Sequence, residues 1–262
     1  MKSKKKVMIA TAACALWTGP AVAADEATIF SYSFFEGAFV HDDLRTGGLQ
    51  ITDRDGVGDT TDDNFGTLSG DTGNGASARL SFELFGDGDR GFHIVTDYIQ
   101  TSHAPVLNLT SLQGWSASGV LDAKQKEWRA AIGYHTLVGQ KVSLFAEVGV
   151  VNSKVDFGTA ALVLGGSTAS ADLGEASGSR TSVDAKLGVR AMVSERFEVT
   201  GFARYHGNGD IGTSDGGNRV DFSGKVRAGA GVLYRLNKRF AFGLDYEFGK
   251  PGRARLGARL SF

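Results

Sequence analysis

The 262-residue chain is poor in the residues that staple or punctuate most folds: it has one cysteine, three prolines and three methionines. A single cysteine, Cys14, cannot pair within the chain, which excludes a disulfide scaffold. No stretch reaches eighteen consecutive apolar residues, so there is no candidate for a membrane-spanning helix. A basic excess is missing too, with 28 Lys and Arg against 29 Asp and Glu, and with it the electrostatic footprint of a nucleic-acid-binding protein. Glycine goes the other way: its 37 residues are about twice the usual share. They follow no three-residue period, which excludes collagen, and 17 Phe, 6 Tyr and 3 Trp spread along the chain argue against disorder.

The first segment reads as an address. Lys2, Lys4, Lys5 and Lys6 form a basic start, Val7 to Trp17 an apolar stretch, and Ala21-Val22-Ala23 a small-residue cleavage pattern. We expect a bacterial secretory signal over 1–23 and one domain over 24–262. Thr-Ala-Ala before Cys14 is a poor match to a lipoprotein site. Cleavage after Ala23 leaves 24 basic and 29 acidic side chains, a net charge of −5, and no cysteine.

The rest of the chain alternates with period two, which puts one set of side chains on each face of a strand. In 127–135, Trp128, Ala130, Ile132 and Tyr134 alternate with Glu127, Arg129, Ala131, Gly133 and His135. The same pattern runs through 77–85, 142–151, 183–191, 220–235, 240–248 and 253–262, and more weakly through 28–40, 90–101 and 196–206. Short turns at 86–90, 138–140, 194–196 and 237–239 interleave with long polar segments at 41–74, 102–124, 158–180 and 207–219. Short connections at one end and long ones at the other describe an all-β, transmembrane up-and-down antiparallel β-barrel of ten strands. The count becomes eight or twelve if 28–40 or Val106 to Leu112 reads differently. Aromatic residues near the strand ends, Trp128, Tyr134, Phe197, Tyr205, Phe222, Tyr234 and Tyr246, suit a membrane girdle on the apolar face.

The ending RARLGARLSF, closing on Phe262, resembles the carboxy-terminal strand of Gram-negative outer-membrane β-barrel proteins. With FSYSFFEGAF near the start and ten alternating segments between, the mature chain resembles the small porin-like, outer-membrane protein A-like barrels. The resemblance implies a place in the outer membrane among lipid and lipopolysaccharide. It also implies recognition of Phe262 by the barrel-assembly machinery. It implies little about activity, because such barrels serve as anchors, adhesins, narrow pores and enzymes.

The face opposite the apolar one carries Arg79, Arg129, Lys186, Arg190, Arg204, Lys225, Arg227, Arg253, Arg255 and Arg259, with Glu83, Asp97, Glu127, Glu147, Asp184, Glu198, Asp245 and Glu247. A ten-stranded lumen is narrow enough for these side chains to cross and pair. We therefore expect a salt-bridged plug, hence a structural or surface-interaction protein. A narrow ion pathway past Arg253, Arg255, Arg259, Lys225 and Arg227 is the alternative. A hydrolase at the outer rim comes third, with His41 beside Asp42 and Asp43, His206 near Asp210 and Asp215, and His103 beside Ser102. No GxSxG elbow supports it. The acidic first loop, including Asp53, Asp55, Asp59, Asp62, Asp63 and Asp71, misses the spacing of a calcium hand. No cofactor or metal is expected. Mass spectrometry of the exported protein should find a mature amino terminus at Ala24; an intact Lys2–Lys6 segment on the folded protein would remove the export reading.

Overall fold

A computed structural model describes residues 30–43, 49–50, 65–69, 72–87, 89–110, 116–172, 177–207, 211–212, 219–220, 226–249 and 252–262. The expected signal over 1–23, Phe222, Lys225 and the first-loop aspartates beyond Asp43 lie outside the described residues. Among the described residues there is no helix. Ten strands form the wall: β1 (Phe34–Asp43), β2 (Thr72–Gly86), β3 (Arg90–His103), β4 (Ser116–Leu137), β5 (Val142–Leu164), β6 (Gly178–Met192), β7 (Phe197–His206), β8 (Val226–Arg235), β9 (Phe240–Phe248) and β10 (Arg253–Ser261). Each is antiparallel to its neighbours in chain order, and β10 closes on β1 through pairs from Phe34↔Ser261 to Asp42↔Arg253. The wall is a closed up-and-down barrel, so no strand edge is left open.

Side-chain chemistry at the tight turns explains where the strands reverse. In the β2–β3 turn the Asp87 carboxylate accepts hydrogen bonds from the backbone N–H groups of Arg90 (3.0 Å) and Asp89 (3.1 Å). The Arg90 N–H holds this carboxyl below its ordinary range. Ser194 Oγ does the same for the Arg196 and Phe197 amides after β6, and Asn237 Oδ1 for those of Arg239 and Phe240 after β8. These are turns in which a short polar side chain stands in for a backbone acceptor. The β4–β5 turn instead contains Gly139 at φ 78°, a conformation that favours glycine.

Polarity is inverted relative to a water-soluble core. Ile132 and Leu187 are 57% and 64% exposed on the outer face, while Arg129 and Arg253 are each 2% exposed inside. The outward aromatics fall in two rows. Phe92, Tyr134, Phe197, Tyr234 and Phe262 lie toward the tight turns, and Tyr98, Trp128, Tyr205 and Tyr246 toward the long connections.

The strands depart from the sequence expectation in several ways. β1 begins at Phe34, not at 28, because Phe30–Ser33 leave the wall and turn into the lumen, where Phe30 and Tyr32 are buried. β8 is described over Val226–Arg235, and 221–225 of the expected strand lie outside the described residues. The segments 102–124 and 158–180, read as loops, carry strand: β4 and β5 continue past the other strands as a long hairpin. Val106–Thr110 is a strand but pairs with Ser116–Val120 outside the ring, so the ring keeps ten. Polar composition concealed these extensions, since both faces of a projecting hairpin can be partly solvated.

Beyond β4 the wall continues through Val106–Thr110, Phe65–Ser69, Leu49–Gln50, Arg219–Val220 and Ile211–Gly212, and Ser167–Asp172 pairs back on β5. All four of the long connections thus contribute to one sheet at the loop end. Beneath it, Leu107, Leu121, Ala123, Val155, Phe157 and Ala160 form a buried apolar cluster.

Glycine sets how closely the wall strands approach. A Cβ at Gly149 on β5 would lie 2.0 Å from the Ala130 carbonyl oxygen and 2.5 Å from the Ala131 Cα on β4. Both are backbone atoms and cannot swing aside. Gly149→Ala should therefore destabilise the barrel by roughly 1–3 kcal/mol, read as a lower urea midpoint for the compact, unboiled band in gel electrophoresis.

Candidate functional site

Among the described residues the lumen is where the fold gathers chemistry. Because inward positions recur every second residue, each strand delivers its polar set to the interior, and cross-strand register stacks those sets into layers. Arg79 on β2, Asp97 on β3 and Arg129 on β4 are consecutive partners in one row. Glu147, Lys186 and Arg204 make another across β5, β6 and β7.

Asp184 on β6 is the most shielded of the charges, 0% exposed. Its two oxygens accept from Arg129 Nε and from Arg204 Nε, the second at 2.6 Å. Arg129 also reaches Glu147 at 2.8 Å and Asp97 at 3.4 Å. Arg204 reaches Glu247 at 3.4 Å and Glu127 at 3.5 Å. Toward the loop end, Arg253 binds Asp42 at 3.0 Å and Glu127 at 3.3 Å, and Arg227 lies 3.6 Å from Glu247. Toward the turns, Arg79 donates to Asp97 at 2.5 Å and Arg259 to Glu36 at 2.7 Å. Glu198 holds both Arg190 and Arg235 at 2.6 Å. Arg255 is more loosely placed, 3.9 Å from Asp245 and 4.0 Å from Glu247. Glu83 lies at the turn end, 3.7 Å from His135 Nε2.

The turn-end mouth is filled by the chain itself. The Tyr32 ring stacks on His135 with centroids 3.7 Å apart, and its hydroxyl is 2.9 Å from Ser143 Oγ. Ser81 donates to the Tyr32 carbonyl at 2.6 Å, and Arg190 donates to the Ser31 carbonyl at 3.1 Å. Phe30, Tyr32, Phe145, Met192 and Phe202 pack together as a second buried cluster. The rings of Phe145 and Phe202 lie where Cβ atoms on Gly188 and Gly229 would be, so those two glycines make room for inward aromatics.

The sequence singled out neither Tyr32, Phe145 and Phe202 nor the role of Asp42, which it placed at a loop rim. A parity break signals the first of these: Phe30, Tyr32 and Phe34 are even, whereas the outward Phe35 and Phe39 are odd. Of the rim histidines, His41 points outward and bonds Asn74 Oδ1 at 2.8 Å, and His206 lies 3.7 Å from Asp184. His103 Nε2 is 3.4 Å from Asp42 and 2.9 Å from Thr101 Oγ1. Both neighbours share one ring nitrogen, so His103 cannot relay a proton from a hydroxyl on one side to a carboxylate on the other. Among the described residues no three His, Cys, Asp or Glu side chains converge to hold a metal ion.

On the outer face Trp128, Tyr134, Phe197, Tyr205 and Tyr246 are exposed and Tyr234 half-exposed, with Phe92–Tyr134 and Phe197–Tyr234 tilted pairs at 5.0 Å. Phe262 is 60% exposed and tilts against Phe82 at 6.5 Å, its backbone N–H donating to the Ser33 carbonyl at 3.1 Å.

Removing the carboxylate that two guanidiniums share leaves both buried without it. Asp184→Ala should cost about 3–5 kcal/mol, whereas truncating Arg196 in an exposed turn should stay within about 0.5 kcal/mol. Urea titration of the two variants side by side checks the contrast, and equal midpoints would mean that the network is not what holds the cross-section.

No family model and no curated protein matches the chain. Solved structures do. The outer membrane protein OprG from Pseudomonas aeruginosa is similar over 90% of this chain and 99% of its own, with 12% identity and a TM-score of 0.43. Ail, the attachment invasion locus protein of Yersinia pestis, is similar over 89% of this chain and 100% of its own, with 14% identity and a TM-score of 0.35. The translocator domain of the autotransporter NalP from Neisseria meningitidis is similar over 88% and 89%, with 12% identity and a TM-score of 0.44.

Proposed function

We propose that the protein is an integral outer-membrane β-barrel, exported under the direction of residues 1–23, with a structural or surface-interaction role and a lumen closed by its own side chains. The observation that carries this reading is the inverted polarity of the ring. An apolar belt running around a whole barrel would aggregate in water. In a bilayer it is the surface that lipid covers, and the two aromatic rows suit its two interfaces. Tight turns at one end and long connections at the other fit turns in the periplasm and loops facing the medium. Lipid and lipopolysaccharide are then the partners of the outer face, and Phe262, exposed at the turn end, is the residue offered to the assembly machinery.

Closure is supported at three levels: the Phe30–Ser33 segment and its aromatic cluster at the turn end, the Arg129–Asp184–Arg204 network at mid-height, and the apolar cluster under the loop sheet. A catalytic role has little to stand on, since His103 meets both its neighbours through one nitrogen. A narrow passive pore is the second reading, favoured by one observation, a cavity of about 60 Å³ beside Lys186 and Tyr32.

The purified mature protein should run faster unboiled than boiled in detergent, and planar bilayers containing it should show no stepwise conductance. Steps of conductance would replace the closed barrel by the pore. A protein soluble without detergent, with no shift on boiling, would overturn the membrane assignment.

A further inference from the structure

Lys186 is the inward cation with a different environment from the rest. Arg79, Arg129, Arg190, Arg204, Arg227, Arg253, Arg255 and Arg259 all lie within 4.0 Å of a carboxylate. Among the described residues Lys186 has no such partner. Its ammonium lies over the rings of Phe202 and Phe145, 4.2 and 5.4 Å from their centroids. Its cross-strand neighbour Glu147 lies more than 4.0 Å from it, bound to Arg129 at 2.8 Å and lying 3.7 Å from His93. The other neighbour, Arg204, is itself a cation.

The two aromatic faces attract the ammonium but offer it no hydrogen-bond acceptor, and an ammonium has three donors to satisfy. The cavity of about 60 Å³ lies against Lys186, and Arg79, Arg190 and Arg259 line it as well. Against them stand Glu147 and Asp245, the first engaged by Arg129 and the second 3.9 Å from Arg255. A void of this size accommodates a small ion with a few waters, since one water needs about 10–15 Å³ of such space. A half-buried ammonium with no carboxylate within 4.0 Å, facing a polar cavity where four cationic side chains outnumber two carboxylates, is stabilised by an anion placed there.

We propose that this cavity is a binding site for a small inorganic anion, a halide in ordinary salt, with Lys186 as its principal cation. The site lies on the β6 side of the lumen and shares only Arg259 with the group of cations that the sequence alone suggested for anions. It rests on the barrel interior and not on the membrane role, so failure of one leaves the other standing.

The test is the thermal midpoint of the folded mature barrel in detergent, at one ionic strength, in sodium chloride, sodium bromide and sodium gluconate. Gluconate is too large for the cavity. Halide should raise the midpoint over gluconate by roughly 2–4 °C. Lys186→Met keeps an unbranched stem beside Phe145 and Phe202, and it should abolish that difference while the shift on boiling remains. Equal midpoints in the unaltered protein, or a halide effect that survives in Lys186→Met, overturn the proposal. Should Lys186→Met fail to fold, crystals of the unaltered protein soaked in bromide decide. Anomalous scattering against the Lys186 ammonium supports the site, and its absence there refutes it.

Discussion

The structure depends on the carboxylate of Asp184 and the two guanidiniums it joins. A ten-stranded ring is only a little wider than an eight-stranded one, whose interior side chains just fill, and its backbone alone leaves a lumen that side chains occupy. Those side chains are largely ionic, and each buried charge costs several kcal/mol unless a partner is in place. The pairing therefore has to be nearly complete, and it spans the lumen. Glu127 on β4 meets Arg204 on β7 and Arg253 on β10, strands far from it along the wall. Ion pairs of this kind are weak evidence of net stability, because apolar packing of the same volume can do as well. Their consequence is register. A slip of one residue on any strand would turn its arginines and carboxylates outward and bring its leucines and valines inside. In a bilayer that error costs about 2–4 kcal/mol for each Arg at mid-depth. The network thus excludes alternative pairings more than it strengthens the chosen one.

The two ends of the lumen are lined by different chemistry, and the reason is what surrounds them. At the turn end the connections are too short to fold over the mouth, so the chain that precedes β1 does the filling. Aromatic rings suit this position because they bring area together with a polar edge. Tyr32 stacks on His135 and still bonds Ser143, while Arg190 lies 4.7 Å from the Tyr32 ring centroid and binds Glu198. At the loop end the wall outlasts the ring. Pairs from Leu121↔Ala160 to Ser118↔Val163 carry β4 and β5 beyond β3 and β6, and their inner face no longer meets arginines from the opposite wall. Apolar residues replace ionic ones there, and Leu107 from the appended strand completes the cluster.

Sequence made the ring legible because lipid-facing and lumen-facing residues differ so sharply in polarity that period two survives in nearly every strand. β9 was bounded to the residue by Phe240 and Phe248, and the tight turns declared themselves through Asn237, Ser194 and the Gly86–Arg90 segment. The loop-end hairpin was not legible for the opposite reason. From Ser116 to Gln125 the outward residues are Ser116, Ser118, Val120, Asp122 and Lys124, mostly polar, so the apolar outer set that marks a lipid-facing strand is lost. The inward course of Phe30–Ser33 was hidden differently. Its Phe and Tyr fit the apolar pattern of β1, and only their parity against Phe35 and Phe39 gives them away. Which charges would share a row was readable once register was assumed, but pairs across the lumen, such as Arg253 with Glu127, depend on the curvature of the closed wall and have no trace in the chain.

That curvature also decides which cations are free to act on a solute. Arg253, Arg255 and Arg259 recur at short intervals on β10 and look like a positively charged stripe when read along the strand. In the closed ring the same strand faces Asp42 and Glu36 on β1, Asp245 and Glu247 on β9, and Glu127 across the lumen, so the stripe is matched from several directions. Lys186 reads along its strand as one charge between Asp184 and Arg190, yet its cross-strand carboxylate, Glu147, is bound by Arg129. A guanidinium, planar and five-donored, can hold several carboxylates at once, whereas an ammonium on a flexible stem competes poorly for a shared one. Where arginines and a lone lysine share a crowded interior, the lysine is the cation that the network leaves to other ligands.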